Sequence, residues 1–476
     1  MNLKFNKKSG QSIIELLVAL GIFVVAVSAA FQVFFGGQKI VIDSRNVNLA
    51  TDYGWQAVEA VRNIRARNWS ELTPGSHGLV FQNGEWLFSS SSVSNSEDIF
   101  TRTVEIGVTA DENVRIATTT VTWQTDNQIK TFVIVEELTN WEAYTQSSCR
   151  AQELTGNWLA PRIIASGSIG SGNTGTDVIV KLPYIYVSSI SGTSANPDLF
   201  VFEYTTSSPS LVESINIGSG GINQIFLKGN YIYASSPNDN KELVIINVTN
   251  PLDITEAGSL NLTGTSDGLG VIAFSNTAAI GRTDSAANEL VFINVTNPAS
   301  PTIISSQATN GDVNDFAATS NDLFLVSEES DEDVWHFNIT NPANPTFVSY
   351  YDITGTTEDL SIFIHEKNGR TLLVGNEQSE IVSIGATNTA AMYVRDRTTF
   401  SGWVNDITCV AGDIAFLATD DDAKELIAIN FFDPDNLSEY SSLSLSADAL
   451  GIDFADNKVF IAIESSNALQ IIGPGP

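Results

Sequence analysis

The chain has 476 residues and a formal net charge of −32, with 23 Lys+Arg against 55 Asp+Glu. That length predicts two or more folded units, and 43% hydrophobic with 16% charged residues is a globular composition. No basic stripe exists that could neutralise phosphates, which excludes nucleic acid as a partner.

In chain order, Lys4, Lys7 and Lys8 precede an apolar run over 13–35. About 20 apolar residues suffice for a helix to cross a bilayer core. A secretory signal would instead stop at a small-residue cleavage site after a shorter apolar core. Here the helical spacing runs on through Gly36-Gly37, with Val41, Val47, Leu49, Tyr53, Ala57, Val58, Val61 and Ile64. The leading lysines predict a cytoplasmic N-terminus, with everything after residue 35 outside. Glu15 is the anomaly, because a lone carboxylate in a membrane helix costs at least a few kcal/mol and needs a partner. A cut after Gly10 would give Gln11 an α-ammonium, and that of a neighbouring helix is a natural counter-charge for Glu15.

The basic leader, Gly10, Glu15 at the fifth position after it, and "IIELLVALGIFVVAV" together resemble the type IV prepilin family, pseudopilins included. The resemblance implies cleavage after Gly10 by a membrane prepilin peptidase, methylation of Gln11, and assembly with other pilin subunits through Glu15. Gln11 stands where the family usually has Phe. The expected domains are a leader over 1–10, a membrane and assembly helix over 11–66, and a pilin-like antiparallel sheet over 67–140. Strand-like stretches in that sheet are "HGLVFQNGEWLFS", "DIFTRTVEIGV", "VRIATTTVTW" and "IKTFVIVEEL". Arg62, Arg65 and Arg67 read as a solvated helix face.

A linker is expected over 141–161, and self-similarity follows it. "LVIINVTNP" (243–251), "LVFINVTNP" (290–298) and "VWHFNITNP" (334–342) are copies of one unit, with weaker copies at 199–209, 381–388, 426–434 and 469–473. The period of about 42 to 47 residues is that of a four-stranded propeller blade. Inner strands are expected near Asp177, Ile222, Leu269, Val313, Leu360, Val404 and Leu450. The last unit lacks a fourth strand, and "PRIIASGSIG" (161–170) has that strand's pattern. A seven-bladed propeller over 162–476, closed by a strand at 162–169, is therefore expected. The fold class is an α+β pilin-like module followed by an all-β propeller. The turns "NVTNPLDIT", "NVTNPASPT" and "NITNPANPT" resemble the LVIVD repeat family, which implies a β-propeller and little about chemistry. Asn247, Asn294 and Asn338 also fit N-x-Thr sequons, and turn structure is read as their reason.

No catalytic constellation is present: His77, His336 and His365 are scattered, and no nucleophile, zinc, phosphate-loop or EF-hand motif occurs. Cys149 and Cys409 read as unrelated thiols. "SEESDEDV" (327–334) and "TDDDAKE" (419–425) read as acidic hairpin tips. In a meander of four strands such tips share one end with the starts of the inner strands. Asp177, Asp267, Asp312, Asp359, Asp406 and Asp448 are accordingly expected to ring one mouth and to attract a divalent cation or a basic partner. No cofactor is expected beyond that possible calcium ion. The expected protein is a non-enzymatic minor pilin at the cell surface, displaying a propeller for adhesion or binding of an extracellular ligand. Two alternatives stand beside it: a type II secretion pseudopilin contacting cargo, and a membrane-anchored propeller that never polymerises.

Overall fold

The computed structural model describes residues 13–476, apart from 68, 83–84, 90–93, 96–98, 109–113, 126–127, 140–153, 192, 206–207, 284–287, 310, 320, 329–331, 355–358, 366–369, 388–390 and 411–413. Gly10, Gln11 and Cys149 lie outside the described residues, as does the side chain of Cys409. The chain divides into two compact units, Met1–Asn140 and Trp141–Pro476.

In the first unit one helix runs from Ile13 to Arg67. Its N-terminal part is apolar and almost wholly exposed, and among the described residues it is the one helix long and apolar enough to cross a membrane. Its C-terminal part is different. Ala50, Ala57, Val61 and Ile64 recur at helical spacing and are buried. The last three pack with Leu79, Val104, Ile106, Ala117 and Leu138 on an antiparallel sheet, while Ala50 packs on Phe100, Val121 and Trp123. The sheet order is Glu85–Ser89, Gly75–Gln82, Phe100–Val108, Val114–Thr125, Gln128–Thr139, with Ser94–Asn95 also on Phe100–Val108. The stretch expected as "HGLVFQNGEWLFS" is two strands, Gly75–Gln82 and Glu85–Ser89, paired antiparallel with Gln82 opposite Glu85. Arg62 is not simply solvated, since its Nε donates to Glu136 Oε1 at 2.6 Å.

The second unit consists, among the described residues, of seven four-stranded antiparallel sheets. Their innermost strands are Asn173–Lys181, Gln224–Lys228, Gly268–Phe274, Val313–Ala318, Asp359–His365, Val404–Val410 and Ala449–Ala455. Each innermost strand contacts that of the next sheet, and the seventh contacts the first. The third strands are the repeated apolar units, including Leu243–Asn247, Leu290–Asn294 and Val334–Asn338. They sit between strands of their own sheet and between neighbouring sheets, so near-continuous burial explains their unbroken Val/Ile/Leu/Phe runs. In the turns that follow, the side-chain oxygens of Asn247, Asn294 and Asn338 accept the N–H groups of Thr249, Thr296 and Thr340 at 2.9, 2.9 and 3.0 Å. These are Asx turns, a structural use of the asparagines.

The seventh sheet takes its outer strand from the start of the unit: Asn157–Gly167 pairs antiparallel with Leu469–Gly475. That strand begins five residues before the expected position 162, inside the expected linker, because Asn157 pairs with Gly475 and Trp158 is buried. Trp158 packs against Phe416 with ring centroids 5.2 Å apart, and its Nε1 donates to Asn457 Oδ1 at 3.1 Å. Asn457 in turn donates to the Thr155 carbonyl at 2.9 Å. Trp158→Ala is therefore expected to destabilise the second unit by about 3–5 kcal/mol. Leu159→Ala, at a residue 67% exposed, should change stability by less than about 0.5 kcal/mol. Denaturant midpoints of the two variants check this.

Candidate functional site

The innermost strand of a four-stranded sheet has a free edge, with N–H and C=O groups that need partners. Here side chains of the preceding sheet supply them. Asp177 Oδ2 accepts the N–H of Ile225 at 2.9 Å, and Gln224 Oε1 that of Val271 at 2.7 Å. Asp315 Oδ2 accepts from Ile362 at 2.9 Å, Asp406 Oδ2 from Ile452 at 2.8 Å, and Asp453 Oδ2 from Val180 at 2.8 Å. Next to these acceptors lies a set of donors. Asn223, Asn314 and Asn405 give their amide hydrogens to the carbonyls of Gly268, Asp359 and Ala449 at 2.6, 3.0 and 2.8 Å. Thr176 and Ser361 do the same to Ile222 and Val404, at 2.6 and 2.8 Å.

The equivalent acceptor position in the third and seventh sheets is glycine, for a steric reason. A Cβ on Gly270 would lie 2.6 Å from the Asn314 carbonyl oxygen, and one on Gly451 would lie 2.5 Å from the Asp177 Cα. Past Gly270, the Gln224 amide reaches across the third sheet to donate to Asp315 Oδ1 at 2.9 Å.

Asp177, Asp315, Asp406 and Asp453 thus line one cavity of about 120 Å³, with Gln224 and apolar side chains such as Ile225, Val271 and Ile362. Among the described residues no cationic side chain lines it. Burial is the main force on these acids. It pushes Asp177 up to about 7 against the pull of two backbone N–H groups, with Asp315 and Asp453 adding repulsion. It pushes Asp315 up to about 6 and lifts Asp406 well above the usual range, the latter with repulsion from Asp177 and Asp315. A second opening of about 270 Å³ is lined by Thr176, Asn223, Asn314 and Asn405 alternating with Leu269, Leu360 and Leu450.

The six aspartates expected to form one ring fall into three layers instead. Only Asp177 and Asp406 line the channel. Asp359 lies two residues earlier in register on its strand and is fully buried. Asp267, Asp312 and Asp448 lie three residues earlier and partly exposed, at the end that carries the second-to-third-strand turns. There burial and the charge of Asp239 raise Asp267, while burial with Asp420 and Asp422 raises Asp448. At a rise of about 3.3 Å per residue, three positions of offset separate the layers by about 10 Å. The one-ring expectation missed this because nearness in register is not identity of register.

Two acids of the channel, Asp315 and Asp453, were missed, and so was a whole further set. Asp198, Glu242, Glu289, Asp333 and Glu425 each stand immediately before a third strand and are buried. Each accepts an N–H about 20 residues on, at the crossover to the next sheet: from Ile217 (2.8 Å), Leu262 (2.8 Å), Thr309 (2.9 Å), Ile353 and Leu445 (2.6 Å). Burial raises Asp198 and Glu242, and the backbone N–H groups oppose it. The signal was present as an acid ahead of each repeat, in "ELVIIN", "ELVFIN", "DVWHFN" and "ELIAIN".

The histidines take part in separate contacts. His336 Nε2 lies 2.7 Å from Asp322 Oδ1, whose other oxygen takes Arg370 Nη1 at 2.7 Å. His365 packs edge-on against Phe431, and His77 stacks on Phe88. Among the described residues no three His, Cys, Asp or Glu side chains group as ligands for a metal ion.

No family model matches the chain, and no curated protein matches it in sequence. Similar solved structures exist. A chain of a mitotic checkpoint complex has a TM-score of 0.52 at 10% identity, covering 68% of this chain and 94% of that one. A catalytically inactive virginiamycin B lyase from Staphylococcus aureus has a TM-score of 0.51 at 12% identity, covering 66% and 99%. The β-propeller domain of Cps50 (Swd1) from Myceliophteria thermophila has a TM-score of 0.49 at 10% identity, covering 66% and 100%. The shared fold is a β-propeller. At these identities the likeness concerns fold and not activity.

The channel acids give a pH dependence with a definite sign. Their folded-state pKa values lie above the unfolded ones, so the native state binds more protons between about pH 4 and 7. This contribution is fully present below the unfolded value and is lost as pH rises through about 6 for Asp315 and about 7 for Asp177. Asp177→Asn should cost about 1–3 kcal/mol, because an amide cannot accept from both the Val178 and the Ile225 N–H groups. That cost should shrink from pH 5 to pH 8, as the wild type loses its proton. Thermal midpoints across that range test it, and parallel profiles would refute it.

Proposed function

We propose that this chain is a minor-pilin-like surface protein, anchored and assembled through its N-terminal helix and displaying a seven-bladed propeller for binding. One observation carries the reading. The same continuous helix buries its C-terminal part on its own sheet and leaves its apolar N-terminal part, with Glu15 in the first turn, exposed. An exposed apolar helical surface of that length needs a membrane or other helices around it. Glu15 within it favours other helices, since a carboxylate gains from a paired ammonium and gains nothing from lipid.

On this reading prepilin peptidase cuts after Gly10, Gln11 carries the new amine, and Glu15 of one subunit meets the amine of its neighbour. The sheet over 67–140 acts as the pilin-like body. The seven sheets act as the blades of a closed ring that recognises an extracellular partner and does no chemistry. A propeller of this bulk suits a tip or low-stoichiometry position in a fibre over the major-subunit position. The channel polar groups favour a structural use of the ring interior, because most of them are spent on neighbouring backbone, and this leaves the outer surface for recognition.

The expected mature protein begins at Gln11 when expressed with a prepilin peptidase, with a 14 Da increment if methylated (one CH₂ group). Intact-mass and N-terminal peptide spectrometry read both. Glu15→Ala should leave cleavage intact and reduce recovery in sheared surface filaments by roughly tenfold or more. An uncleaved N-terminus, or unchanged filament recovery in Glu15→Ala, would overturn the assembly reading in favour of a simple membrane-tethered propeller.

A further inference from the structure

The sevenfold repeat supplies its own controls, and the outer strand of the fourth sheet departs from them. Opposite the second residue of the repeated apolar unit, five sheets carry serine, as Ser259 and Ser306 do, and the fifth sheet carries Arg397. The fourth sheet carries Tyr350 there, and the residue it faces is Trp335, where the second and third sheets have Val244 and Val291. Two residues on, Phe337 lies opposite Phe347. A bulge between His336 and Phe337 lets Phe347 and Tyr350, three positions apart, share the face of the two third-strand rings.

The four rings form one body. Between ring centroids, Trp335 lies 5.2 Å from Phe347 and 6.0 Å from Tyr350, and Phe337 lies 5.8 Å from Phe347. Trp335 and Phe337 are buried, and Phe337 reaches Phe292 of the third sheet at 5.6 Å, so this pair belongs to the core between the two sheets. Phe347 and Tyr350 stand on that floor 46% and 49% exposed, with their rings 6.3 Å apart and 31° from parallel. A single exposed apolar side chain needs no explanation. Two exposed rings held by a buried aromatic floor are another matter, because their orientation is set before a ligand arrives and little rotamer entropy is left to lose.

Charge singles out the same place. The outer strands of five sheets carry charged residues, among them Arg162, Glu213, Glu256, Arg395 and Glu439. Those of the third and fourth sheets, Thr302–Gln307 and Thr346–Tyr351, carry none. In a chain of net charge −32, two adjacent sheets thus present a neutral, hydroxyl-bearing sector with an aromatic platform on it.

We propose that this sector binds a neutral glycan, with a sugar ring laid on Phe347 and Tyr350. The C–H face of a pyranose is weakly positive and meets the negative face of an aromatic ring, while the Tyr350 hydroxyl supplies a polar handle beside it. A charged ligand finds no counter-charge on these strands, and the field of the whole chain repels an anionic one. The four aromatics prepare ring faces and not a backbone edge, which favours a glycan over an added peptide strand. The proposal rests on the reading of the ring as a recognition module and on no part of the assembly reading.

The test is binding of the purified full-length chain, in a detergent without a sugar headgroup, to an array of immobilised oligosaccharides. The array carries neutral hexose and N-acetylhexosamine series beside sialylated and sulfated ones. The wild type is expected on at least one neutral series and on no acidic one. Tyr350→Ser, which installs the residue of five sister sheets, and Phe347→Glu, which installs that of the second and sixth, should each weaken binding by roughly tenfold or more. Tyr350→Phe, which keeps the ring, should stay within about threefold of the wild type. Should Phe347→Glu fail to fold, Tyr350→Ser decides alone, since sister sheets fold with serine there. Unchanged binding by Tyr350→Ser overturns the proposal, as does binding confined to acidic glycans or to none. If no glycan binds and sedimentation shows self-association that Tyr350→Ser abolishes, a second copy covers the rings and the glycan site is refuted. Cleavage after Gly10 and filament recovery are read separately, so failure here leaves the assembly reading standing.

Discussion

The second unit depends on how the inner edge of each sheet is satisfied. A four-stranded sheet standing alone exposes two rows of backbone groups, and around a ring axis the inner rows face a space too narrow for full hydration. The protein meets them with side chains reaching from one sheet to the next: Asp and Gln accept N–H groups, while Asn, Thr and Ser donate to carbonyls. Each such bond is worth about 1 kcal/mol net, yet leaving its buried partner unmade costs more. The ring is thus stitched by polar bonds whose absence is expensive, over an apolar filling between sheets that supplies the bulk of the burial.

This explains why a chain of net charge −32 spends acids in its interior. A carboxylate has two oxygens and can serve two N–H groups at once, as Asp177 does for Val178 and Ile225, and Asp406 for Ile407 and Ile452. No neutral side chain offers two such acceptors at so short a reach. The same geometry places four acids around one small cavity, where they repel one another. Backbone hydrogen bonds lower the pKa values of these acids while burial and mutual repulsion raise them, and burial is the largest of the three influences.

Strand order was legible because the third strand of each sheet is covered on both sides, so its residues had to be an unbroken apolar run, and repetition made the run visible. The long helix was legible for the same reason, as Ala57, Val61 and Ile64 keep the spacing their sheet demands. The exact layer of an aspartate was not legible. Strands of different start point look equivalent in a repeat, but a shift of two residues moves Asp359 out of the channel and into a seam between sheets. The bulges between Gly175 and Val178, or between Asp359 and Ser361, add an offset that no periodicity announces. The acids that cap the crossovers were hidden by where the repeat unit was taken to begin.

Departures from the sevenfold pattern then separate into two kinds. Ala468 stands where five sheets have a capping acid, and the architecture accounts for it: the outer strand of that sheet comes from the other end of the unit, so the crossover that an acid would cap is not made by the following residues. There the Ile169 N–H is taken by the Ser466 carbonyl instead. Glu380 stands in the same place in the fifth sheet and is turned to Arg397, an ion pair within its own sheet. Asp359 belongs to neither case. Among the described residues neither of its carboxyl oxygens meets hydrogen-bond geometry, although apolar residues fill the same position in sister sheets. Burial first, and Asp333 next, raise its carboxyl well above the usual carboxylate range, so this one position of the repeat holds an acid in surroundings that disfavour its charged form.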